Sequence, residues 1–104
     1  MDADILMVEN LEQLKLAISK QHGGKPEYRQ SVPVDERHNG KPVWQGVVHV
    51  FDLADHPKAT RAFAWSSPIE GSSKRRFFAV LQLGAIKTPA DAVRAAIVAQ
   101  DRRR

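Results

Sequence analysis

Three segments in the second half of the chain alternate apolar side chains in the manner of half-buried β-strands. They are residues 43–53, 59–65 and 76–83, and each combines aromatic with aliphatic side chains. Aromatic and β-branched residues favour a pleated surface, and the polar gaps that contain Pro or Gly are typical of turns. The pattern predicts consecutive strands of a mainly antiparallel sheet.

The first of these strands is apolar on both faces, which predicts a central strand or one covered on both sides. Its two apolar sets are Trp44, Val48 and Val50 on one face and Val47, Phe51 and Leu53 on the other. Gly46 indicates a bulge or the close approach of a neighbouring element. In the next strand Ala62 and Ala64 form a small face, where we expect the C-terminal helix to pack closely.

A helix is predicted near each end of the chain. Asn10 is a suitable N-cap for the first, with Gln13 as its capping-box partner, and Gly23 is a suitable residue just beyond its C-terminus. The apolar stripe of this helix consists of Leu11, Leu14, Ala17 and Ile18. It repeats at the spacing of one helix face, which predicts that this face packs on the sheet.

The C-terminal helix has a strong start signal in Thr88, Pro89 and Asp91, which suit the N-cap, first and third positions of a helix. Its apolar side is made of small residues, so its axis can lie close to a sheet. The residues expected to face the sheet are Ala92, Val93, Ala96 and Ile97.

The segment between the first helix and residue 43 has a weaker pattern. Residues 28–34 can form a strand near Tyr28, but Pro33 cannot donate to a ladder and confines it to a sheet edge. Residues 35–42 are expected to form a mobile loop, in which Asn39-Gly40 is the strongest hairpin dipeptide of the chain.

These elements predict an α+β fold of order α-(β)-β-β-β-α, a two-layer sandwich with both helices on one face of the sheet. The chain of 104 residues is expected to be one domain with frayed tails at 1–9 and 101–104. We expect a core formed by Leu14, Ile18, Val48, Val50, Phe63, Phe77, Leu81, Val93 and Ile97.

The composition indicates the cellular compartment of the protein. The chain has no cysteine, which excludes disulfides and thiolate zinc sites and favours a reducing cytoplasm. No apolar run approaches the roughly 20 residues of a membrane span, and Asp2 and Asp4 stand where a signal peptide carries positive charge. We therefore expect a cytoplasmic protein without a membrane partner.

The net charge of +4 is concentrated at the C-terminal end of the chain. Residues 74–104 contain eight Lys or Arg and two Asp, a balance of +6. Such a surface attracts phosphate groups or acidic partners, although solvated surface charge is the commoner meaning. The candidate binding surface consists of Arg61, Lys74, Arg75, Arg76, Arg102, Arg103 and Arg104. Basic and aromatic residues are interleaved there, as in modules that stack bases, but core packing is the commoner role of such aromatics.

Catalytic chemistry has weaker support. The four histidines have no metal-ligand spacing, and the chain lacks a nucleophile elbow, a phosphate-binding glycine loop and an EF-hand pattern. No cofactor or metal is expected. The one alternative site groups His49, Asp52, Asp55 and His56 around the turn after residue 53. The simpler interpretation is that Asp52 or Asp55 accepts backbone N–H groups in this turn and that His56-Pro57 sets its shape.

Two resemblances bear on these expectations. The strings W-Q-G-V-V-H-V-F-D-L, H-P-K-A-T-R-A-F-A-W, R-R-F-F-A-V-L and P-A-D-A-V-R-A-A-I-V resemble a family of short uncharacterised bacterial proteins across residues 43–99. This resemblance implies a compact bacterial domain and supplies no activity. The element order is also similar to that of the double-stranded-RNA-binding domain, but the last helix starts Thr88-Pro89-Ala90-Asp91 with only Lys87 nearby, so no RNA contact is transferred.

The function predicted from the sequence is therefore a small non-enzymatic binding module. Its expected partner is nucleic acid or an acidic protein, bound through the basic C-terminal part. The alternatives are a homodimer or another protein complex through an apolar sheet face and, less favoured, a small enzyme that uses the turn around Asp55.

Overall fold

The structure is a computed structural model that describes the backbone of residues 2–102 and the side chains of residues 11–100. Helix α1 spans Asp2–His22 and helix α2 spans Pro89–Arg102. Between them lie strands β1 (Lys25–His38), β2 (Lys41–Ala54), β3 (Arg61–Pro68) and β4 (Arg75–Leu81). The α+β class is confirmed, and the optional strand near Tyr28 is present as β1.

The four strands form one antiparallel sheet in the order β1-β2-β3-β4. Each strand pairs with its neighbour in sequence, so the sheet is a meander of hairpins. Both β1 and β4 are edge strands. The prediction that Pro33 places its strand at an edge is confirmed, because β1 pairs with β2 alone.

The two helices cover opposite faces of this sheet. Leu14 and Ile18 of α1 share a core cluster with Ala62 and Ala64 of β3, whereas Val93 of α2 belongs to a second cluster. The sheet residues of that second cluster include Val48, Val50, Phe63 and Trp65. Neighbours along a strand point to opposite faces, so the two clusters lie on opposite sides of the sheet. The fold thus has three layers.

The two-layer arrangement with both helices on one face was therefore a wrong prediction. Its physical reason is visible in β3, where Ala62, Phe63, Ala64 and Trp65 are all buried. A strand can bury consecutive residues only when both faces are covered, and one helix covers each face here.

Side-chain size determines which helix covers which face. The large side chains of α1, Leu14 and Ile18, lie over the small face formed by Ala62 and Ala64. On the other face, Ala92 and Val93 of α2 lie over Phe63 and its aromatic neighbours. The sequence predicts the C-terminal helix on the alanine face, and this is wrong, because α1 lies there. Pairing large with small residues lets the helices pack closely on β3.

The segment predicted as a loop at 35–42 is the end of a long hairpin. Strand β1 extends to His38, strand β2 begins at Lys41, and only Asn39 and Gly40 separate them. Both turn residues have positive φ, 53° and 78°, as the tight turn of a two-residue hairpin requires. The predicted hairpin dipeptide is confirmed, but the length of the strands on either side was underestimated.

Helix α1 begins at Asp2 rather than at Asn10. Its end agrees with the prediction, because Gly23 has a φ of 83° and its N–H donates to Ser19 O at 2.9 Å. Of the predicted tails, residues 2–9 and 101–102 have helical backbone, and residues 1, 103 and 104 lie outside the described residues.

Most of the predicted core is buried. Leu14, Ile18 and Val48 are completely inaccessible to solvent, and Val50, Phe63 and Val93 are at most 2% exposed. The other members, Phe77, Leu81 and Ile97, are half-buried and pack against the two clusters from their margins.

The placement of α1 over the alanine face predicts how Ala64 tolerates a larger side chain. Ala64→Leu should lower the free energy of unfolding by about 1–3 kcal/mol, because there is no space under α1. Ile18→Val creates space on the same face and should offset part of that loss. Urea unfolding of the single and double variants measures this coupling.

Val93→Ala is the matched control, since Val93 packs on the opposite face. Its effect should add to that of Ala64→Leu within about 0.5 kcal/mol. Coupling of Ala64 to Val93 instead of Ile18 would contradict the three-layer arrangement.

Candidate functional site

The two hairpins of the sheet separate along part of their length. Strands β2 and β3 pair only from His49↔Ala64 to Asp52↔Arg61. Beyond that point β2 continues with β1 towards the Asn39 turn, and β3 continues with β4 to the pair Pro68↔Arg75. A groove opens between the diverging hairpins on the side of the sheet that α2 covers.

Three aromatic side chains form much of this groove. Trp65 and Phe78 stack with ring centroids 5.3 Å apart and an interplanar angle of 12°, and Trp44 meets Trp65 edge-on at 6.0 Å. The cavity has a volume of about 300 Å³. We call it the aromatic groove; its remaining lining is Ser67, Pro68, Ile69, Glu70 and Arg76 from the β3–β4 end, and Val93, Ala96, Ile97 and Gln100 from α2.

Gly46 permits the position of the Trp44 ring. The two residues are on the same face of β2, and a Cβ atom at Gly46 would lie 2.8 Å from Cη2 of the indole. The close contact at Gly46 thus comes from Trp44 of the same strand, and not from a bulge or a neighbouring element as predicted, since the pairing with β1 is regular at Val34↔Gly46. The ring lies over the glycine, which turns its other edge towards Trp65.

Helix α2 forms one wall of the groove and is fixed at its start. Thr88 Oγ1 accepts the N–H of Asp91 at 3.1 Å, and Asp91 Oδ2 accepts the N–H groups of Lys87 and Thr88 at 3.0 and 3.1 Å. The hydrogen bond from Lys87, with those from Thr88 and the charge of Arg94, lowers the pKa of Asp91. The predicted cap is confirmed.

An ion pair ties α2 to the long hairpin. Arg94 Nε donates to Glu36 Oε1 at 2.6 Å, and Arg94 also pairs with Asp91 at 3.1 Å. The hydrogen bond to Glu36 raises the pKa of Arg94 above its usual value. This contact between β1 and α2 holds the hairpin arm that carries Trp44 beside the helix.

The turn between β3 and β4 orders the open end of the groove. Ile69 N–H donates to Lys74 O at 3.2 Å, Ser72 N–H to Ile69 O at 3.1 Å, and Lys74 N–H to Ser72 Oγ at 3.0 Å. Gly71 takes a φ of 77° within this turn. Ile69 and Glu70 are thereby held at the groove.

The predicted basic surface is divided by the fold. Arg61 lies at the far end of β3 from this turn and pairs with Asp52 at 3.7 Å, which Arg29 also contacts at 3.0 Å. Lys74, Arg75 and Arg76 lie together at the start of β4. Arg61 therefore belongs to a separate ionic cluster.

Arg75 and Arg76 point to opposite sides of the sheet. Arg75 donates to Ser66 Oγ at 2.8 Å and to Ser66 O at 3.2 Å, on the α1 side. Arg76 lines the aromatic groove on the α2 side. Of the other predicted basic residues, only the helical backbone of Arg102 is described, and Arg103 and Arg104 lie outside the described residues.

The alternative site around the turn after β2 is not assembled. His49 lies on the α1 face and Asp52 on the α2 face, where it pairs with arginines. Asp55 pairs with Lys25 at 3.2 Å. His56 Nδ1 accepts the N–H groups of Lys58 and Ala59, both at 3.0 Å, so the turn itself uses this ring. The four side chains have separate structural partners.

His49 belongs to a different polar group, which the sequence pattern did not reveal. Its Nδ1 is 2.7 Å from Ser31 Oγ, and that hydroxyl is 2.7 Å from Tyr28 Oη. His49 is only 6% exposed, and burial lowers its pKa. The register Ser31↔His49 brings the pair together, and such a register follows only once β1 is known to pair with β2.

Among the described side chains, no group of three or more His, Asp or Glu residues could hold a metal ion. In the described part of the chain, neither helix combines the length and the apolar content that a bilayer crossing requires.

Each face of the sheet carries a helix, but Val43 and Val47 of β2 are 50% and 43% exposed on the face that carries α1. The exposed large apolar side chains are distributed over both helices, β1, β2 and the segment after β4: Leu16, Tyr28, Val43, Val47, Leu83 and Val98.

Comparison with protein-family models, curated proteins and solved structures finds no match for this chain. The resemblance to short bacterial proteins therefore stays a prediction, and the function has to be argued from the geometry of the site.

The fit of Trp44 over Gly46 predicts a spectroscopic change in Gly46→Ala. The added methyl should displace the indole and weaken its edge contact with Trp65. Acrylamide should then quench the tryptophan emission more strongly, because the displaced ring is more accessible. Val47→Ala, next to it on the opposite face, should leave quenching unchanged, and equal quenching of both variants would contradict this geometry.

The buried His49 predicts a pH dependence of stability. Burial lowers the folded-state pKa, so the neutral ring is favoured in the folded protein. The stabilisation that comes from the neutral ring is present above the unfolded-state pKa of 6.5. It is lost as the pH falls from there through the lower folded-state pKa. His49→Asn should remove this loss.

The measurement is urea unfolding at about pH 7.5 and about pH 5.5. Wild-type protein should lose more stability than His49→Asn between these conditions. His38→Asn, at the exposed end of β1, is the control and should follow the wild type. Parallel curves for wild type and His49→Asn would refute the argument.

Proposed function

We propose that this protein is a small non-enzymatic module that binds nucleic acid at the end of the sheet where β4 begins. The observation that carries the proposal is the position of Arg76 beside the aromatic groove, with Lys74 and Arg75 directly preceding it. Cationic side chains hold phosphates, and neighbouring aromatic rings accept bases.

Charge supports the same location. Gln100 of α2 lines the groove, and the helix continues from there to Arg102. The sequence then ends in Arg103 and Arg104. The cations at the start of β4 therefore lie at the same groove as Gln100 of α2, which stands two residues before the run Arg102–Arg104 in the sequence. Such a concentration attracts a polyanion over long range.

Salt dependence is the direct test. Each neutralised phosphate releases condensed counterion, so a duplex site with three phosphate contacts should weaken about fortyfold between about 50 and 200 mM salt. Fluorescence anisotropy with labelled single-stranded and duplex oligonucleotides measures this. Absence of binding to either at low salt would end the proposal.

Charge reversal locates the contact. The double variant Lys74→Glu, Arg76→Glu should bind at least about tenfold more weakly, and its logarithmic salt slope should fall by about two. Lys58→Glu with Lys87→Glu changes the net charge equally at the other end of the sheet. This control should keep most of the affinity.

An acidic protein is the alternative partner. Polyglutamate of matched charge provides the comparison, because it presents carboxylates without bases or a phosphate backbone. Binding of polyglutamate as tight as that of the oligonucleotides would favour an acidic protein over nucleic acid.

A further inference from the structure

We propose that the aromatic groove accepts one unstacked base of a single-stranded nucleic acid while the adjoining phosphate stays outside on Arg76. This inference rests on the proposed function and adds the form of nucleic acid that the site prefers. It follows from the shape of the groove, its rings and the distribution of charge around it.

The groove has the size and walls that a base requires. Its volume of about 300 Å³ lies at the small end of ligand sites, which suits one planar ring system better than a folded chain segment. Trp44 is half-buried, whereas Trp65 behind it is 2% exposed. Trp44 and Phe78 therefore provide the accessible rings, and the stacked Trp65–Phe78 pair provides a rigid support.

Charge orients the ligand. Glu70 lines the groove and its carboxylate repels a phosphate. A phosphate is therefore disfavoured inside, and Arg76 gives it a favourable position at the same groove. The uncharged base is the part of a nucleotide that fits the interior.

The same geometry disfavours a duplex. The groove lies between two diverging hairpins and beside a helix, so only a base that has left its stack can enter it. In a duplex every base is paired and stacked, and extracting one costs a few kcal/mol. A duplex can still contact Lys74 and Arg76 through its backbone, without the added stacking.

The experiment compares a mixed-sequence single-stranded DNA of about twelve nucleotides with its duplex, a length within the range that one small domain contacts. Trp44→Leu should weaken binding of the single strand at least about fivefold, which corresponds to the loss of one stacked base. Binding of the duplex should change less than about twofold. Trp44→Phe, which keeps a ring, should retain most of the single-strand affinity.

Tyr28→Leu is the matched control, because Tyr28 is an exposed aromatic side chain (39%) on the opposite face. It should leave both affinities unchanged. A second readout does not depend on any variant: the only two tryptophans of the chain both line the groove. Single-stranded DNA should quench their emission in the wild-type protein, and the duplex should not.

The outcomes separate this inference from the function on which it rests. Salt-dependent binding with equal effects of Trp44→Leu on both DNA forms, or with unchanged tryptophan emission at saturation, overturns the base pocket and leaves nucleic-acid binding intact. Failure of both forms to bind at low salt overturns both proposals.

Discussion

The packing of the central strands on two sides is the constraint on which the rest of the structure depends. In β3 alternate residues go to different helices: the alanines contact the large side chains of α1, and Phe63 and Trp65 contact the small side chains of α2. At β3 each face is matched in size to its helix, so an exchange of the two helices would leave voids or clashes there. The groove follows from this arrangement, since α2 has to lie on the aromatic face.

The groove also depends on where strands β2 and β3 stop pairing. Strands β2 and β3 stay paired only as far as His49↔Ala64, and α2 then occupies the space between the hairpins. The Glu36–Arg94 ion pair closes the hairpin arm onto the helix. Glu36 is mostly buried there, with 15% of its side chain exposed, whereas Arg94 is 58% exposed, so solvent still screens part of this contact. The cap at Thr88 orders the same helix at its start.

Local signals in the sequence predicted much of the fold. Turn dipeptides, the cap at Thr88 and alternation in the strands have short-range causes, and the corresponding elements are present. The faces of the helices were mispredicted because both sides of the strand at 43–53 are apolar, and alternation cannot tell which helix covers which side. The alanines of β3 correctly predict that a helix packs closely on them. The helix that does so is α1, because its large side chains Leu14 and Ile18 match the small face.

The candidate site was predictable only in part for a similar reason. Arg76 and its neighbours were identified from charge, but Arg61 was grouped with them because sequence distance does not show that β3 places it at the far end. Trp44 and Phe78 were visible as aromatics and were assigned no common role. Their meeting depends on the divergence of two hairpins. One local signal was available, because a glycine two residues after a tryptophan in a strand leaves space for the ring to fold over it.

Stability alone would favour a closed groove. A half-buried tryptophan leaves apolar surface in water, and each Å² left exposed forgoes about 25 cal/mol of stabilisation. In a small domain, whose net stability is low, such a loss is noticeable. A larger residue than Ala96 on α2 would cover more of it. The fold instead keeps small side chains next to the rings and places an arginine and a glutamate at the same groove. Sites where local packing falls short of the rest of the core are where function is expected. The partly uncovered rings of Trp44 and Phe78 beside Arg76 are such a site, which is why we propose binding here.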